Sequence, residues 1–349
     1  MTEEKINKMI LNACREDAFK FEKFINGNKS IIYSGKKGQW SYLVEILIIT
    51  IKSLYPSKKE VKVSINYDRF LKELNLWKYY RHGNNKSLIN ILTRNKESIY
   101  WQEDDESIFI RILAIVISNK KYENIKKEVI KNILFTTGNI KNLLEGIILS
   151  KVLFSLINKD DLDYEKLLKS LKEEIIHMSQ RNFLNTNKDY FRFELSTYPG
   201  KYSLDFEREK INLLNILNGI KGKKFTNLIH TLEILKNKSC NENSSFFVNV
   251  IKGIYLEKEF KYVIKDEEFI KVLCKYLIKL RKGRVNPESL EVNEYNLPDI
   301  FAFKEGEEFN HTLLNRAIII KKITYKNYLI SYVKTKTGIY RFAKFKNTL

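Results

Sequence analysis

Apolar positions recur along most of this chain with the period of a helix. Ile6, Met9, Ile10, Ala13, Cys14 and Phe21 are three, four and seven residues apart, which puts them on one stripe of a helix. Ser41 to Leu54 is apolar on nearly every side and predicts a central, buried helix. The same period predicts helices over Glu123 to Phe135, Ile140 to Ile157, Tyr164 to Met178, Phe206 to Leu217, Phe225 to Leu235 and Glu267 to Leu280. Prolines agree, since Pro199, Pro287 and Pro298 all fall between these segments. Beyond Pro298 the pattern changes. Arg316 to Tyr325, Tyr328 to Lys334 and Ile339 to Lys346 are rich in β-branched and aromatic residues, and Lys336, Thr337 and Gly338 are placed as a hairpin turn. The expected architecture is mainly α: a helical domain over residues 1–305 and a small basic β-rich unit over 306–349.

Composition bounds what such a chain can do. With 349 residues, 44% of them hydrophobic and 13% aromatic, it buries a large core and is globular. The longest apolar run is interrupted by Glu45 and Lys52, short of the roughly 18 residues a membrane span needs. The charged stretch from Met1 to Lys8 leads into no signal-peptide core, so the expected location is the cytoplasm. Cys14, Cys240 and Cys274 are odd in number and far apart, which favours buried small hydrophobes over a disulfide or zinc framework. The net charge of +20 suggests a polyanionic partner, although abundant Lys, Ile and Asn also fit the composition of an AT-rich bacterial genome. Distribution adds information here. His311 to Leu349 carries nine basic residues and no Asp or Glu, so almost half of the net charge lies in the tail.

Four short stretches carry the candidate chemistry. Arg15-Glu16-Asp17-Ala18-Phe19 closes the first predicted helix, and Gly38-Gln39-Trp40-Ser41-Tyr42-Leu43-Val44-Glu45 opens the next. Ser107 to Ala114, containing Arg111, is followed by Leu134-Phe135-Thr136-Thr137-Gly138-Asn139 and a long helix. Ser244 to Gly253 follows Thr231-Leu232-Glu233. In order and spacing, across residues 5 to 280, these stretches resemble the motifs of the ADP-ribosylglycohydrolase family, all-helical enzymes that remove ADP-ribose with a pair of magnesium ions. The resemblance is degenerate. Glu16-Asp17-Ala18-Phe19-Lys20 is similar to the family's Gly-Asp-Ala-Leu-Gly without its glycines. Gly38 to Glu45 is similar to Gly-x-x-Thr/Ser-Asp-Asp-Thr-Glu/Gln, with Ser41 and Glu45 kept and Tyr42 and Leu43 where the two aspartates belong. Ser107 to Leu113 resembles a run ending in Met-Arg-Ile-x-Pro-Leu and keeps Arg111; Thr137 stands where the family's Leu-Thr-His-x-x-Pro step has histidine. Asn243 to Gly253 resembles Gly-Gly-Asp-Thr-Asp-Thr and its helix, with Ser244 and Phe246 at the aspartate positions.

The resemblance implies an inherited fold and a lost reaction. Magnesium is a hard cation held through carboxylates and water, and Ser41, Tyr42, Leu43, Ser244 and Phe246 mark a degenerate metal site in which the aspartates are missing. No metal or other cofactor is expected, and neither is catalysis. The reading is a pseudoenzyme acting as a binding, scaffold or regulatory protein, with a protein partner or a nucleotide-like ligand. Asp17, Glu45, Arg111 and Thr137 are the candidate cleft residues, Arg111 as a phosphate contact. Bulky Tyr42, Leu43, Phe246 and Phe247 are expected to fill the former ion cavity. The alternative is a divergent hydrolase with residual metal-independent activity, using Asp17 or the acidic run Glu103-Asp104-Asp105-Glu106, whose default reading is a solvated cluster at a helix start. His82, His177, His230 and His311 show no HxxH or HExxH spacing, and no GxSxG, Walker or GxGxxG motif occurs.

The tail supports a separate expectation of nucleic-acid binding through Lys334, Lys336, Arg341, Lys344 and Lys346. Alternation puts Ile339, Arg341, Ala343 and Phe345 on one face of the last strand and Tyr340, Phe342, Lys344 and Lys346 on the other. Cations beside aromatic rings neutralise phosphates while the rings stack on bases. The competing expectation is a hairpin packed on the helical domain with its lysines in water.

Overall fold

The computed structural model describes residues 2–27, 37–93, 95–158, 161–238, 244–257, 259–336 and 338–345. Among them are fourteen α-helices and a C-terminal four-stranded antiparallel sheet, so the protein is mainly α with a small β appendage. None of these helices is long and apolar enough to cross a membrane.

Helix α1 (Glu3–Gly27) runs on past Phe21, beyond its expected end, and the other predicted helices appear close to their expected bounds: α2 (Tyr42–Lys52), α7 (Tyr122–Thr136), α8 (Ile140–Asn158), α9 (Tyr164–Ile176), α11 (Tyr202–Leu217), α12 (Thr226–Asn237) and α14 (Glu267–Arg281). The others are α3 (Tyr67–Trp77), α4 (Lys86–Thr93), α5 (Glu97–Gln102), α6 (Ser107–Ser118), α10 (Gln180–Asn187) and α13 (Phe246–Tyr255). Helix α2 is largely buried, as its apolar sides predict, and α6 is buried more completely still. All twelve residues of α6 are buried, whereas α2 leaves Leu43, Ile48 and Lys52 partly exposed. A helix that is apolar all round belongs at the centre, and α6 meets that condition apart from Arg111 and its terminal Ser107 and Ser118.

Two polar devices fix its ends. At the C-terminus, Arg281 of α14 donates to the carbonyls of Val116 (3.3 Å), Ile117 (3.4 Å) and Asn119, using acceptors the helix leaves open. At the N-terminus, Asp105 accepts from the Ser107 amide at 3.0 Å. Helix α13 crosses α1 closely at Gly253, where a Cβ would lie 3.0 Å from the Lys8 carbonyl oxygen and 3.1 Å from Met9 Cα. A short antiparallel pair that periodicity did not reveal, β1 (Leu54–Pro56) with β2 (Val63–Ile65), follows α2. Its backbone is tied down by Asn119, which bonds both the amide and the carbonyl of Val63 at 2.9 Å.

The sheet runs β3 (Glu308–His311), β4 (Asn315–Thr324), β5 (Tyr328–Thr335) and β6 (Gly338–Phe345), each antiparallel to its neighbour. Strand β3 precedes the expected set; Thr337 and Lys346 lie outside the described residues. Phe309, Ala317, Ile319, Val333 and Phe342 form the inner face and pack with Leu76, Ile300 and Phe301. Tyr80 meets Phe342 at 5.6 Å and Tyr340 at 6.2 Å between ring centroids, and the Ala343 amide donates to the Tyr79 carbonyl at 2.8 Å. The sheet is therefore docked on the end of α3.

Candidate functional site

A cleft of about 700 Å³ opens in the helical body. The stretches singled out in the sequence meet there. Asp17 comes from α1, Ser41, Tyr42 and Leu43 from the start of α2, and Ser244 and Phe246 from the start of α13. Glu103, Asp104 and Glu106 of the loop before α6 complete the opposite wall, with Lys86, Lys141, Glu145, Asn227 and Asn249. Six helices begin at this cleft, since residues in the first turn or cap of α2, α4, α6, α8, α12 and α13 all line it. A helix N-terminus carries about half a positive charge and unpaired amides. Six of them raise the local potential and make an assembly of carboxylates tolerable.

Asp17 is held at the start of α2. Its carboxylate accepts from the Ser41 amide at 2.8 Å and the Ser41 hydroxyl at 2.7 Å. Burial pushes its carboxyl up to about 6, against these two bonds, with the Glu45 charge adding to the rise. Glu145 sits in an otherwise apolar stretch of α8 and accepts from the Leu228 amide at 3.0 Å, at the start of α12; burial pushes it up to about 7. Both groups therefore titrate near neutrality.

Tyr42 packs its ring on Gly83 and donates its hydroxyl to Glu106. Burial and that carboxylate push the phenol well above its usual range. Gly83 is required here: its φ is +143° and a Cβ would sit 2.5 Å from the Tyr42 ring. Lys20 donates to the Ser244 carbonyl and pairs with Glu16 at 2.9 Å; Lys86 pairs with Glu103 at 3.0 Å and Lys141 with Asp104. Asn249 is only 2% exposed, and its Oδ1 has no hydrogen-bond partner among the described residues.

Several sequence expectations need correction. Tyr42, Leu43, Phe246 and Phe247 line the cleft as walls and do not fill it, because the helix starts that carry them stand apart around an open volume. Arg111 does not reach the cleft. It is fully buried and donates to Asn132 Oδ1 (2.7 Å), Thr136 Oγ1 (2.6 Å), Ser107 Oγ and Asp105 (3.3 Å). Burial pulls the guanidinium down from its ordinary value and the adjacent Asp105 opposes this. Asp105 is consequently no solvated residue but the buried counter-ion of Arg111. Glu45 also turns away, accepting from the Trp77 indole (2.8 Å) and the His82 amide (3.1 Å). Thr137 caps the start of α8, its hydroxyl accepting from the Asn139 amide at 3.1 Å.

The tail cations divide. Lys344 points inward, 3.1 Å from Asp299 and 5.6 Å from the Phe301 ring centroid, because alternation places it on the Phe342 side of β6. Tyr340 and Phe342 are covered by Tyr80 and cannot stack on a base. Lys334 and Lys336 are exposed, Arg341 is on the outward face opposite Tyr332, and Lys346 lies outside the described residues. Cys14 and Cys274 are buried; Cys240 lies outside the described residues.

The sequence reading missed Asn85, Lys141, Glu145, Asn227 and Asn249. A lone carboxylate inside Leu143-Leu144-Glu145-Gly146-Ile147-Ile148 was the available signal for one of them. The donor set at the degenerate positions does not suit magnesium: Tyr42 is committed to Glu106, and the side chains of Leu43 and Phe246 offer no oxygen. Among the described residues no group of three His, Cys, Asp or Glu is placed to hold a metal. The sequence matches no protein-family model and no curated protein.

Proposed function

We propose that the chain is a non-catalytic, ADP-ribosylglycohydrolase-like protein that binds a nucleotide-type ligand in this cleft and acts as a binding or regulatory protein. The observation that supports it is convergence. Asp17, Ser41 to Leu43, and Ser244 to Phe246, more than 200 positions apart at the extremes, reach one cleft at which six helices start. Helix starts suit a phosphate, for which Lys20, Lys86 and Lys141 would exchange their pairings with Glu16, Glu103 and Asp104, and the rings of Phe21, Tyr42, Phe246 and Phe247 suit a base. Calorimetric titration of the purified chain with ADP-ribose, with and without magnesium, tests this. Micromolar binding that is independent of magnesium and weakened by Lys141→Glu is expected; no heat with either would overturn it.

Asp17 at about 6 and Glu145 at about 7 favour a second reading, since groups that titrate near neutrality are suited to general acid and base work. An assay for release of ADP-ribose from ADP-ribosyl-arginine, with manganese supplied, separates the two. Turnover abolished by Asp17→Asn would move the assignment to a metal-independent hydrolase.

A further inference from the structure

The outward face of the C-terminal sheet is independent of the cleft. Register sets four rows across β4, β5 and β6. Ile318, Lys334 and Ile339 form the first, and Lys321, Tyr332 and Arg341 the second. Ile323, Ile330 and Ala343 form the third. In the fourth, Tyr325 stacks on Tyr328 at 4.5 Å between centroids, and Tyr328 meets Phe345 at 6.4 Å. Phe345 is 72% exposed, Ile339 50% and Tyr325 43%. The inner face of the same sheet is sealed against α3, so this exposure belongs to one side only.

Across β4, β5 and β6 the charges on this face are all positive; Glu308 of β3, the register partner of Ile318, shares the face and is bound by Arg316. No Asp or Glu occurs from His311 to Leu349. Among the described residues, Arg316 binds Glu308, Lys344 binds Asp299, and Lys322 donates to the carbonyls of Phe301 and Phe303, while Arg341 also makes a contact within the protein. Lys321, Lys326, Lys334 and Lys336 pair with no acidic group among the described residues. A solvated aromatic cluster beside a row in which a tyrosine is flanked by Lys321 and Arg341 is complementary to a strand that carries both π-faces and phosphates.

We propose that this outward face binds single-stranded nucleic acid, with bases on the Tyr325, Tyr328, Tyr332 and Phe345 rings and phosphates on Lys321, Lys334 and Arg341. An unpaired strand is specified because duplexed bases hide their faces from a flat sheet, and stacking on aromatic platforms needs no sequence readout. An anionic membrane is the less suitable polyanion. Tyr328 and Tyr332 are half-buried against the sheet, so they present faces and hydroxyls and do not project as apolar anchors.

The test is fluorescence anisotropy of labelled dT and rU 15-mers with the full chain at several salt concentrations, alongside sedimentation with phosphatidylglycerol vesicles. Neutralising three phosphates makes log affinity fall with log salt at a slope of about −2 for single strands. Tyr332→Ala is expected to weaken binding roughly ten-fold or more, and Lys321→Glu to weaken it and flatten the slope. Lys223→Glu, an equal charge change at an exposed position on the helical body, is expected to have little effect. Lys321 is solvent-exposed, so its replacement does not threaten folding. The proposal is overturned by absent binding, by equal losses for Lys321→Glu and Lys223→Glu, or by vesicle binding without oligomer binding.

Discussion

Replacing Arg111 with Met distinguishes a residue that builds the cleft from one that touches its ligand. In the structure Arg111 and Asp105 are both 0% exposed, and the guanidinium reaches α7 through Asn132 and Thr136. Removing one partner of a buried pair costs about 3–5 kcal/mol, because the other charge stays in the interior uncompensated. Asp105 would still accept from Asn85 (3.0 Å), Ser107 (3.0 and 2.6 Å) and Thr136 (2.8 Å), which favours the lower end, about 3 kcal/mol. Asp105→Asn should cost a similar amount by stranding the guanidinium. The double variant should then cost clearly less than the sum, with a coupling of about 2 kcal/mol. Urea unfolding followed by far-UV circular dichroism at pH 7 measures all three. Arg111→Met losing less than about 1 kcal/mol, with ligand affinity reduced, would refute the buried network and restore Arg111 as a phosphate contact.

Asp17 and Glu145 make a pH signature. Their carboxyls titrate at about 6 and about 7 in the folded chain, against 3.8 and 4.5 as ordinary values, so ionisation penalises the folded state. Their stabilisation is complete below about pH 4 and is lost as pH rises through 6 and 7. Asp17→Asn should therefore gain up to about 3 kcal/mol at pH 8 and little at pH 4; equal effects at both pH values in urea melts would contradict this. Gly253→Val places atoms against the Lys8 backbone, and a loss of about 1–3 kcal/mol in thermal unfolding is expected. Phe342→Ala should cost about 3–5 kcal/mol and open the tail to limited proteolysis, whereas Phe345→Ala, 72% exposed, should leave both unchanged.

The sequence by itself determined the mainly helical body, eight of its helices, and the switch to strands after Pro298, because each rests on a local period that burial enforces: 3.6 for a helix with one covered face, 2 for a strand. It also picked out Asp17, Ser41, Tyr42, Ser244 and Phe246, which do share one cleft. Periodicity could not rank the helices by depth: α2 is central as expected, but α6 is the one buried at every residue, and a run apolar on all sides does not reveal how many neighbours surround it. Nor could it aim side chains between elements. Arg111, Glu45 and Thr137 carry cleft-like chemistry, but each is turned to a partner elsewhere: Asp105, the Trp77 indole and the Tyr100 carbonyl. Which face of β6 meets solvent was likewise settled by Tyr80, a residue of the chain just past α3 that covers Phe342 and leaves Phe345 open. Local spacing follows from the backbone's own geometry, whereas the direction of a polar group follows from which distant donor or counter-ion removes the cost of burying it.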